Sequence, residues 1–175
     1  MIYERQEEPT KLTLPNGKVV PARTIRSADA PALQRLYSRL SEQSSRLRFF
    51  DSMKKLSDQK AKDFAQVDGI NRYALVALDP KQQEEIIAVV RFSREGSTAK
   101  AEYAALVEDA WQGRGVGLGL TRQLIYEARC REIHYLYGLV MPENRGVLKL
   151  LRSLDLPERE NRTGGLKYVE VELVA

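Results

Sequence analysis

Hydrophobic residues change their spacing several times along the chain, and each change predicts a different element. Apolar residues recur on one helical face in 30–40 and again in 116–129. Ser57 has the character of a helix cap, which predicts a helix ending near Gly69, and 144–154 forms a shorter helical pattern. Short runs rich in β-branched and aromatic residues predict strands at 18–25, 73–78, 86–92, 101–107, 135–140 and 168–173.

Three polar stretches carry no clear periodicity. The first dozen residues predict a mobile arm over 1–16, which ends at an Asn16-Gly17 turn and leads into a short hairpin. Residues 41–56 form a connection that mixes hydroxyls, arginines and paired aromatics, and 157–165 is a polar loop. These stretches therefore connect the predicted elements.

The predicted order is strand, two helices, three strands, helix, strand, helix, strand. Several antiparallel strands thus precede βα units, which is typical of a mixed α/β domain. At 175 residues the chain is long enough to bury a hydrophobic core, so we expect a single domain over 17–175.

Composition narrows the function classes. The sequence is 43% hydrophobic and 30% charged, has no run of about 18 apolar residues, and opens without an apolar signal core. We therefore expect a cytoplasmic protein that does not act at a membrane. Cys130 and His134 are the only cysteine and histidine, which argues against a disulfide framework and a zinc site, so no metal is predicted.

The net charge of +4 is mild, and lysines and arginines alternate with acidic residues throughout. Nucleic-acid-binding proteins concentrate positive charge in a patch, so no nucleic-acid partner is predicted. The balance suits a polyanionic cofactor, and it equally suits a small domain whose charges keep it soluble.

The candidate chemistry lies where a strand ends at Val107 and a helix begins near Val116. Gly113, Gly115 and Gly117 alternate in this turn, and glycine allows backbone N–H groups to approach a ligand closely. Free N–H groups at a helix start bind anions, so the turn predicts a phosphate or pyrophosphate site to which Arg114 adds a cation. The spacing matches neither the P-loop nor the dinucleotide fingerprint. The alternative is a turn that packs the helix against the strand.

The same residues carry a resemblance. Gln112, Gly115 and Gly117 occupy the defined positions of Gln/Arg-x-x-Gly-x-Gly/Ala, and the segment resembles the acyl-CoA signature of the GNAT N-acetyltransferase superfamily. Pro142-Glu143-Asn144 and the short helix after it resemble the motif that completes that family's cofactor cleft. The resemblance implies a mixed, mostly antiparallel sheet, split at the cofactor cleft and flanked by helices.

A narrower resemblance rests on five segments: Arg23-Thr24-Ile25-Arg26, Asp29-Ala30, Leu40-Ser41-Glu42-Gln43-Ser44, Ser45-Arg46-Leu47-Arg48-Phe49-Phe50 and Ala101-Glu102-Tyr103-Ala104. They are similar to the catalytic domain of bacterial Pat-type protein lysine acetyltransferases. The likeness implies transfer of an acetyl group from acetyl-CoA to a primary amine, with a protein lysine as the leading acceptor. It also places Arg46, Arg48 and Phe49 where the family's acceptor side forms, the alternative being salt bridges and core packing.

The resemblance assigns roles to individual positions. Glu102 would be the general base that takes a proton from the attacking amine, the alternative being a solvent-facing strand residue. The tyrosine acid of many GNAT enzymes is replaced by Leu151, and Asp155-Leu156 stands where the family usually has Gly-Phe. The implied cofactor-binding residues lie on the strand end, the glycine loop and the next motif helix: Leu106, Val107, Gln112, Gly113, Arg114, Gly115, Val116, Gly117 and Asn144.

Other functions stay open at this point. Asn144 is equally well explained as a plain helix cap. A small amine or amino acid could replace the protein acceptor, because no pattern in 41–56 or 157–167 specifies a substrate. A non-catalytic acyl-CoA-binding or sensing module is a different class, which the missing tyrosine favours and Glu102 disfavours.

Overall fold

The sheet dominates the architecture. The structure is a computed structural model and describes residues 9–50 and 55–173. Within them, eight strands form one sheet in the order β1-β2-β3-β4-β5-β6-β8-β7, antiparallel except for the β5–β6 pair. The strands are β1 Thr10–Thr13, β2 Val19–Thr24, β3 Arg72–Leu78, β4 Ile86–Arg94, β5 Lys100–Val107, β6 Tyr135–Val140, β7 Glu158–Thr163 and β8 Leu166–Glu172.

Helices cover both faces of the sheet and divide the core in two. They are α1 Ala30–Ser38, α2 Glu42–Phe49, α3 Asp58–Ala65, α4 Val116–Cys130 and α5 Arg145–Arg152. On one face, α4 and α5 bury apolar side chains such as Leu124 and Leu151 against Phe92. On the other face, α1 and α3 bury Leu36 and Ala61 among apolar strand residues. No helix in the described ranges is long and apolar enough to cross a bilayer.

The predicted fold class is confirmed, including the split in the sheet. β5 and β6 pair in parallel over three residues only, from Lys100↔Tyr135 to Glu102↔Tyr137, and then diverge. At the point of divergence Gly138 lets the strands lie close, because a Cβ there would sit 3.3 Å from the Tyr103 carbonyl oxygen. The sheet is therefore forked between its fifth and sixth positions.

Three elements differ from the prediction. β1 lies in the segment expected to be a mobile arm, where only Leu12 of its four residues is buried and no alternation is visible. β7 lies in the segment expected to be a polar loop. Its six side chains are polar, so the sequence shows no strand pattern, and backbone pairing with β8 holds the strand. α2 lies in the connection over 41–56, and Ser45 is its one buried residue. Residues 1–8 and 51–54 of the predicted arm and connection lie outside the described residues.

The helix caps explain where the predicted helices start and stop. Ser57 accepts a hydrogen bond from the Lys60 N–H at 3.2 Å, as predicted, but α3 ends at Ala65, short of Gly69. Ser41 caps α2 by accepting from the Ser44 N–H at 3.1 Å. These two hydroxyls satisfy N–H groups that the first helical turn leaves free.

β1 packs directly against α4. A Cβ added at Gly119 would lie 3.3 Å from the Leu12 Cδ2, tighter than an ordinary contact. Thr10 adds a 3.1 Å hydrogen bond to Gln123 of the same helix. The strand in the expected arm therefore packs on the first half of α4, where a side chain at position 119 would require Leu12 to shift.

A buried hydrogen bond joins α4 to β5. The Tyr103 and Thr121 hydroxyl oxygens lie 2.7 Å apart, and Thr121 is 0% exposed. Burial raises the pKa of Tyr103, so its hydroxyl stays protonated across neutral pH.

We predict that Tyr103→Phe lowers the free energy of unfolding by about 1 kcal/mol, because the Thr121 hydroxyl loses its partner away from water. Urea unfolding followed by circular dichroism measures the change. Tyr126→Phe is the control, since Tyr126 is 65% exposed and its variant should unfold like the wild type. Equal stability of the two variants would contradict a stabilising role for the bond.

Candidate active site

A cleft opens where β5 and β6 diverge. Its floor is the fork in the sheet, α5 forms one side, and the end of α2 lies across the other. The lining includes Leu47, Arg48, Phe50, Glu102, Tyr103, Ala104, Ala105, Leu136, Tyr137, Gly138, Leu139, Val140, Asn144, Val147 and Leu151. Beyond Glu102, β6 no longer pairs with β5, so backbone polar groups on this edge of β5 face the cleft.

The glycine loop stands at the start of α4, next to the end of β5. Gly113 and Gly115 have φ of +72° and +92°, a region that other residues adopt with strain. Gly115 is the N-cap of α4 and has no side chain, so no capping side chain covers the N–H groups of the first turn. These groups, together with the positive end of the helix dipole, form a surface suited to an anion.

Close contacts fix the loop in place. A Cβ at Gly115 would lie 2.8 Å from the Pro15 Cδ, and a Cβ at Gly117 would lie 3.0 Å from the Leu150 Cδ1. The Trp111 ring is contacted by two cations, the Lys18 Nζ at 4.8 Å and the Arg114 guanidinium at 5.2 Å. Two positive charges therefore lie beside the Trp111 ring, that of Arg114 in the loop and that of Lys18 outside it. Sequence analysis identified only Arg114.

Gln112 has a contact that the sequence does not reveal. Its backbone N–H donates to the Asp109 carbonyl at 3.3 Å, so this N–H is turned toward its own loop. Its side-chain amide donates to the Val107 carbonyl at 3.0 Å and to the Ser44 hydroxyl at 3.1 Å. Gln112 thus joins the glycine loop, the end of β5 and α2.

Asp109 strengthens this junction. Its carboxylate accepts from the Ser41 N–H at 3.1 Å, the Ser41 hydroxyl at 2.8 Å and the Ser44 hydroxyl at 3.0 Å. Partial burial raises the pKa of Asp109, but these hydrogen bonds outweigh it and hold the pKa below its usual value. A few residues away, Arg39 bridges Glu85 and Glu108 at 2.9 and 3.0 Å. The amino end of α2 is therefore tied to the segment between β5 and α4.

Glu102 lies at the fork, on the face of the sheet that α1 and α3 cover. Its side chain is exposed to the cleft and pairs across strands with Ser93 on β4 and Tyr137 on β6. No lysine or arginine nitrogen of the described residues lies within 4.0 Å of its carboxylate. Burial, then the nearby charges of Glu95 and Glu102, raise the pKa of Tyr137. Its phenol therefore stays protonated at neutral pH.

The α5 side of the cleft contains both departures from the family pattern. Leu151 lines the cleft as a buried apolar side chain with no proton to donate. Asn144 caps α5 by accepting from the Val147 N–H at 3.2 Å, which supports the cap interpretation while its side chain also lines the cleft. Asp155, which stands where the family usually has glycine, has φ of +55°, in the left-handed region that favours glycine.

A model of the acetyltransferase (GNAT) family matches residues 33–155, more than half of the chain. The chain belongs to the GNAT acetyltransferase family. Its members are acyl-CoA-dependent N-acyltransferases, and acetyl-CoA is the acyl donor that the family uses. A curated acetyltransferase from Pseudomonas aeruginosa is 26% identical over 143 residues, which cover 81% of this chain and 77% of that protein.

Solved structures support the same family. The GNAT domain of S. lividans PAT is 30% identical, with a TM-score of 0.86 over 94% of this chain and 96% of that one. A cAMP-binding acyltransferase from Mycobacterium smegmatis is 23% identical, with a TM-score of 0.68 over 95% of this chain and 48% of that one. The structure of yncA from Salmonella typhimurium, solved with its cofactor acetyl-CoA, is 18% identical, with a TM-score of 0.68 over 89% and 94%. The last two share the fold.

The predicted site residues fall into three groups around the cleft. Glu102 and Asn144 line the cleft, Leu106 and Val107 lie farther along β5 and are not part of the lining, and the residues over 112–117 precede and begin α4. Sequence analysis assigned no role to Ser41, Ser44 or Asp109, because hydrogen bonds between segments more than sixty residues apart leave no local pattern. Phe49 packs on Tyr37 at 5.2 Å, which agrees with the core-packing alternative, while Phe50 lines the cleft.

We predict that Asp109→Asn destabilises the protein, because the Ser41 and Ser44 donors lose a charged acceptor. Since the pKa of Asp109 is lowered in the fold, its contribution is complete above about pH 4 and disappears as pH falls through the lowered pKa. Urea midpoints of the variant and the wild type, measured from pH 3 to 7, should converge in acid. Asp63→Asn, which removes the charge of an exposed carboxylate that accepts one hydrogen bond from Gln59, is the control. A difference that does not change with pH would contradict the prediction.

Proposed function

We propose that this GNAT enzyme transfers an acetyl group from acetyl-CoA to a lysine side chain of a protein, with Glu102 as general base. The supporting observation is the position of Glu102. Its carboxylate lies at the fork, where it lines both the cleft and an adjoining cavity on the α1/α3 face. An amine entering from that face would meet Glu102 and the thioester together. The proposed setting is the cytoplasm, in keeping with a sequence that holds one cysteine.

The cofactor is assigned to the glycine loop and the open edge of β5. The pyrophosphate would accept hydrogen bonds from the first turn of α4, with Arg114 and Lys18 contributing positive charge nearby. The pantetheine arm would lie along Leu106 and Val107, where β5 has lost β6 as a partner. Asn144 would border the arm, although its carbonyl oxygen already caps α5.

The proposed reaction is a direct displacement. An alkyl ammonium has a pKa of about 10.4, so the amine must lose a proton before its nitrogen attacks the thioester carbonyl. Glu102 takes that proton directly or through a water molecule, the new C–N bond forms, and the C–S bond breaks. The second proton that the nitrogen loses as it becomes an amide passes to water. Leu151 offers no proton, so the CoA thiolate leaves unprotonated or takes a proton from water.

The acceptor is the part of the proposal that rests on the narrower resemblance. The likeness to the GNAT domain of S. lividans PAT extends over nearly the whole chain, which favours the Pat-type assignment. An N-acetyltransferase of small amines is the second candidate, since a putative phosphinothricin N-acetyltransferase, 20% identical, shares the fold. Glu102 and its open surroundings disfavour a non-catalytic module.

We predict that Gly115→Ala weakens acetyl-CoA binding at least 10-fold, because a Cβ there meets Pro15 and distorts the loop. Isothermal titration with acetyl-CoA measures the affinity. Gly96→Ala is the matched control: Gly96 also has positive φ, +57°, but open space around it. The control should bind like the wild type. If the wild type binds no acetyl-CoA at micromolar concentrations, the cofactor assignment is wrong.

We predict that Glu102→Gln lowers kcat about 100-fold while acetyl-CoA affinity is retained, because the base is lost and the cofactor contacts are not. Turnover of lysine-containing peptides is followed by release of free CoA. Glu84→Gln, at an exposed carboxylate in the turn before β4, is the control and should keep full activity. A Glu102→Gln enzyme with wild-type kcat would exclude the general-base role.

A further inference from the structure

A cavity adjoins the cleft on the face that α1 and α3 cover. Three arginines from three different elements line it, Arg48 of α2, Arg72 of β3 and Arg91 of β4, and Glu102 closes one end. Phe64, Val67, Ser93 and Ala104 complete most of the wall. We call this cavity the arginine pocket.

Strand register builds the arginine pocket. Arg91 pairs with Ala74 on one side and with Ala104 on the other, so its two cross-strand neighbours are small. The next rung of the same face contains Arg72, Ser93 and Glu102. Two alanines therefore leave open space above the guanidinium of Arg91, one rung away from Glu102.

The Arg91 guanidinium is held firmly but incompletely paired. One face lies 4.8 Å from the Phe64 ring centroid, and Nη1 donates to the Phe64 carbonyl at 3.2 Å. Nη2 is buried and has no hydrogen-bond partner within the ranges that the structure describes. An unpaired buried donor on a cation is costly, and such a group in a native protein calls for a ligand, an ion or water.

The pocket also has an excess of positive charge. Arg72 donates to the Asp63 carbonyl at 2.7 Å and Arg48 stacks on Phe49 at 4.7 Å, yet none of the three arginines forms an ion pair with a described carboxylate. Burial, opposed by Tyr37 and reinforced by the charges of Arg48 and Arg72, lowers the pKa of Arg91 to about 10. Elsewhere in the fold five arginines pair with carboxylates: Arg23, Arg35, Arg39, Arg131 and Arg152.

Capping of α3 explains only part of this arrangement. Arg72 and Arg91 both donate to carbonyls in the last turn of α3, where cations are favourable. Capping accounts for Nη1 of Arg91, which donates to the Phe64 carbonyl, but it does not give Nη2 a hydrogen-bond partner. It also gives Arg48 no function, since Arg48 lies on α2 beside the cleft.

We propose that the arginine pocket binds a carboxylate of the acceptor, carried by an acidic residue two positions from the lysine that is acetylated. The inference rests on the proposed function, because it places the amine at Glu102. Two residues along an antiparallel strand span roughly 7 Å, so the Arg91 rung lies about that far from the Glu102 rung. This separation matches residues i and i+2 of an extended peptide, whose side chains lie on the same face. The carboxylate supplies the acceptor that Arg91 Nη2 lacks.

The test compares matched acceptors and matched variants. Two fluorescent peptides differ only in Glu or Gln two positions from a single lysine. A second pair of acceptors is free lysine and lysine amide. Wild type, Arg91→Lys and Arg48→Gln are compared with Arg122→Gln, which removes an exposed charge on α4 away from the cleft. We measure kcat/KM for all acceptors, and also the anisotropy of each peptide on the CoA-loaded protein, which needs no turnover.

We expect wild type and Arg122→Gln to favour the Glu peptide about 10-fold or more in kcat/KM and in affinity. Arg91→Lys and Arg48→Gln should lose this preference while still acetylating the Gln peptide. Equal use of both peptides by the wild type, or a preference unchanged by either substitution, overturns the inference. A carboxylate preference confined to free lysine keeps the anion site but assigns it to an amino-acid acceptor. Preferential, Arg91-dependent binding of the Glu peptide without any acetylation retains the anion site and refutes the proposed transfer.

Discussion

The site depends on one break in hydrogen bonding. β5 and β6 share three residues of parallel pairing and then separate, which leaves backbone groups of β5 without a partner strand. Unpaired backbone groups are costly when shielded from water, so an open strand edge inside a protein is stable only if solvent or a ligand satisfies it. The two helices beside the break follow its two strands along the chain: α4 is the next α-helix after β5, and α5 is the next α-helix after β6. The cleft thus lies where β5 and β6 have stopped pairing.

The residues that chemistry requires were the easiest to find in the sequence. Gly113, Gly115 and Gly117 form a local pattern, and backbone geometry permits few alternatives to glycine where φ is strongly positive. The central strands and α4 were equally accessible, because one face of each packs into the core and repeats with the period of its element. β1 and β7 were missed since edge strands have little buried surface, and α2 was missed because it buries one serine.

The acceptor side could not be predicted in the same way. Arg48, Arg72 and Arg91 stand in separate segments that look like ordinary polar positions, and only the strand register brings two of them beside Glu102. The hydrogen bonds that join α2 to the segment between β5 and α4 could not be predicted for the same reason. Asp109 and Gln112 lie in that segment, and their side chains bond to Ser41 and Ser44 at the start of α2. Tertiary hydrogen bonds therefore link the proposed cofactor and acceptor regions, which are far apart in sequence.

The contact between Leu12 and Gly119 limits how this sequence can change. A glycine inside a helix costs about 0.5–1 kcal/mol relative to alanine, and here the leucine of β1 occupies the space that an alanine methyl group would need. A larger residue at 119 becomes acceptable once residue 12 is reduced to valine or alanine, with total side-chain volume conserved. The two positions, more than a hundred residues apart, are therefore expected to covary among homologues, with the size of one inversely related to the size of the other.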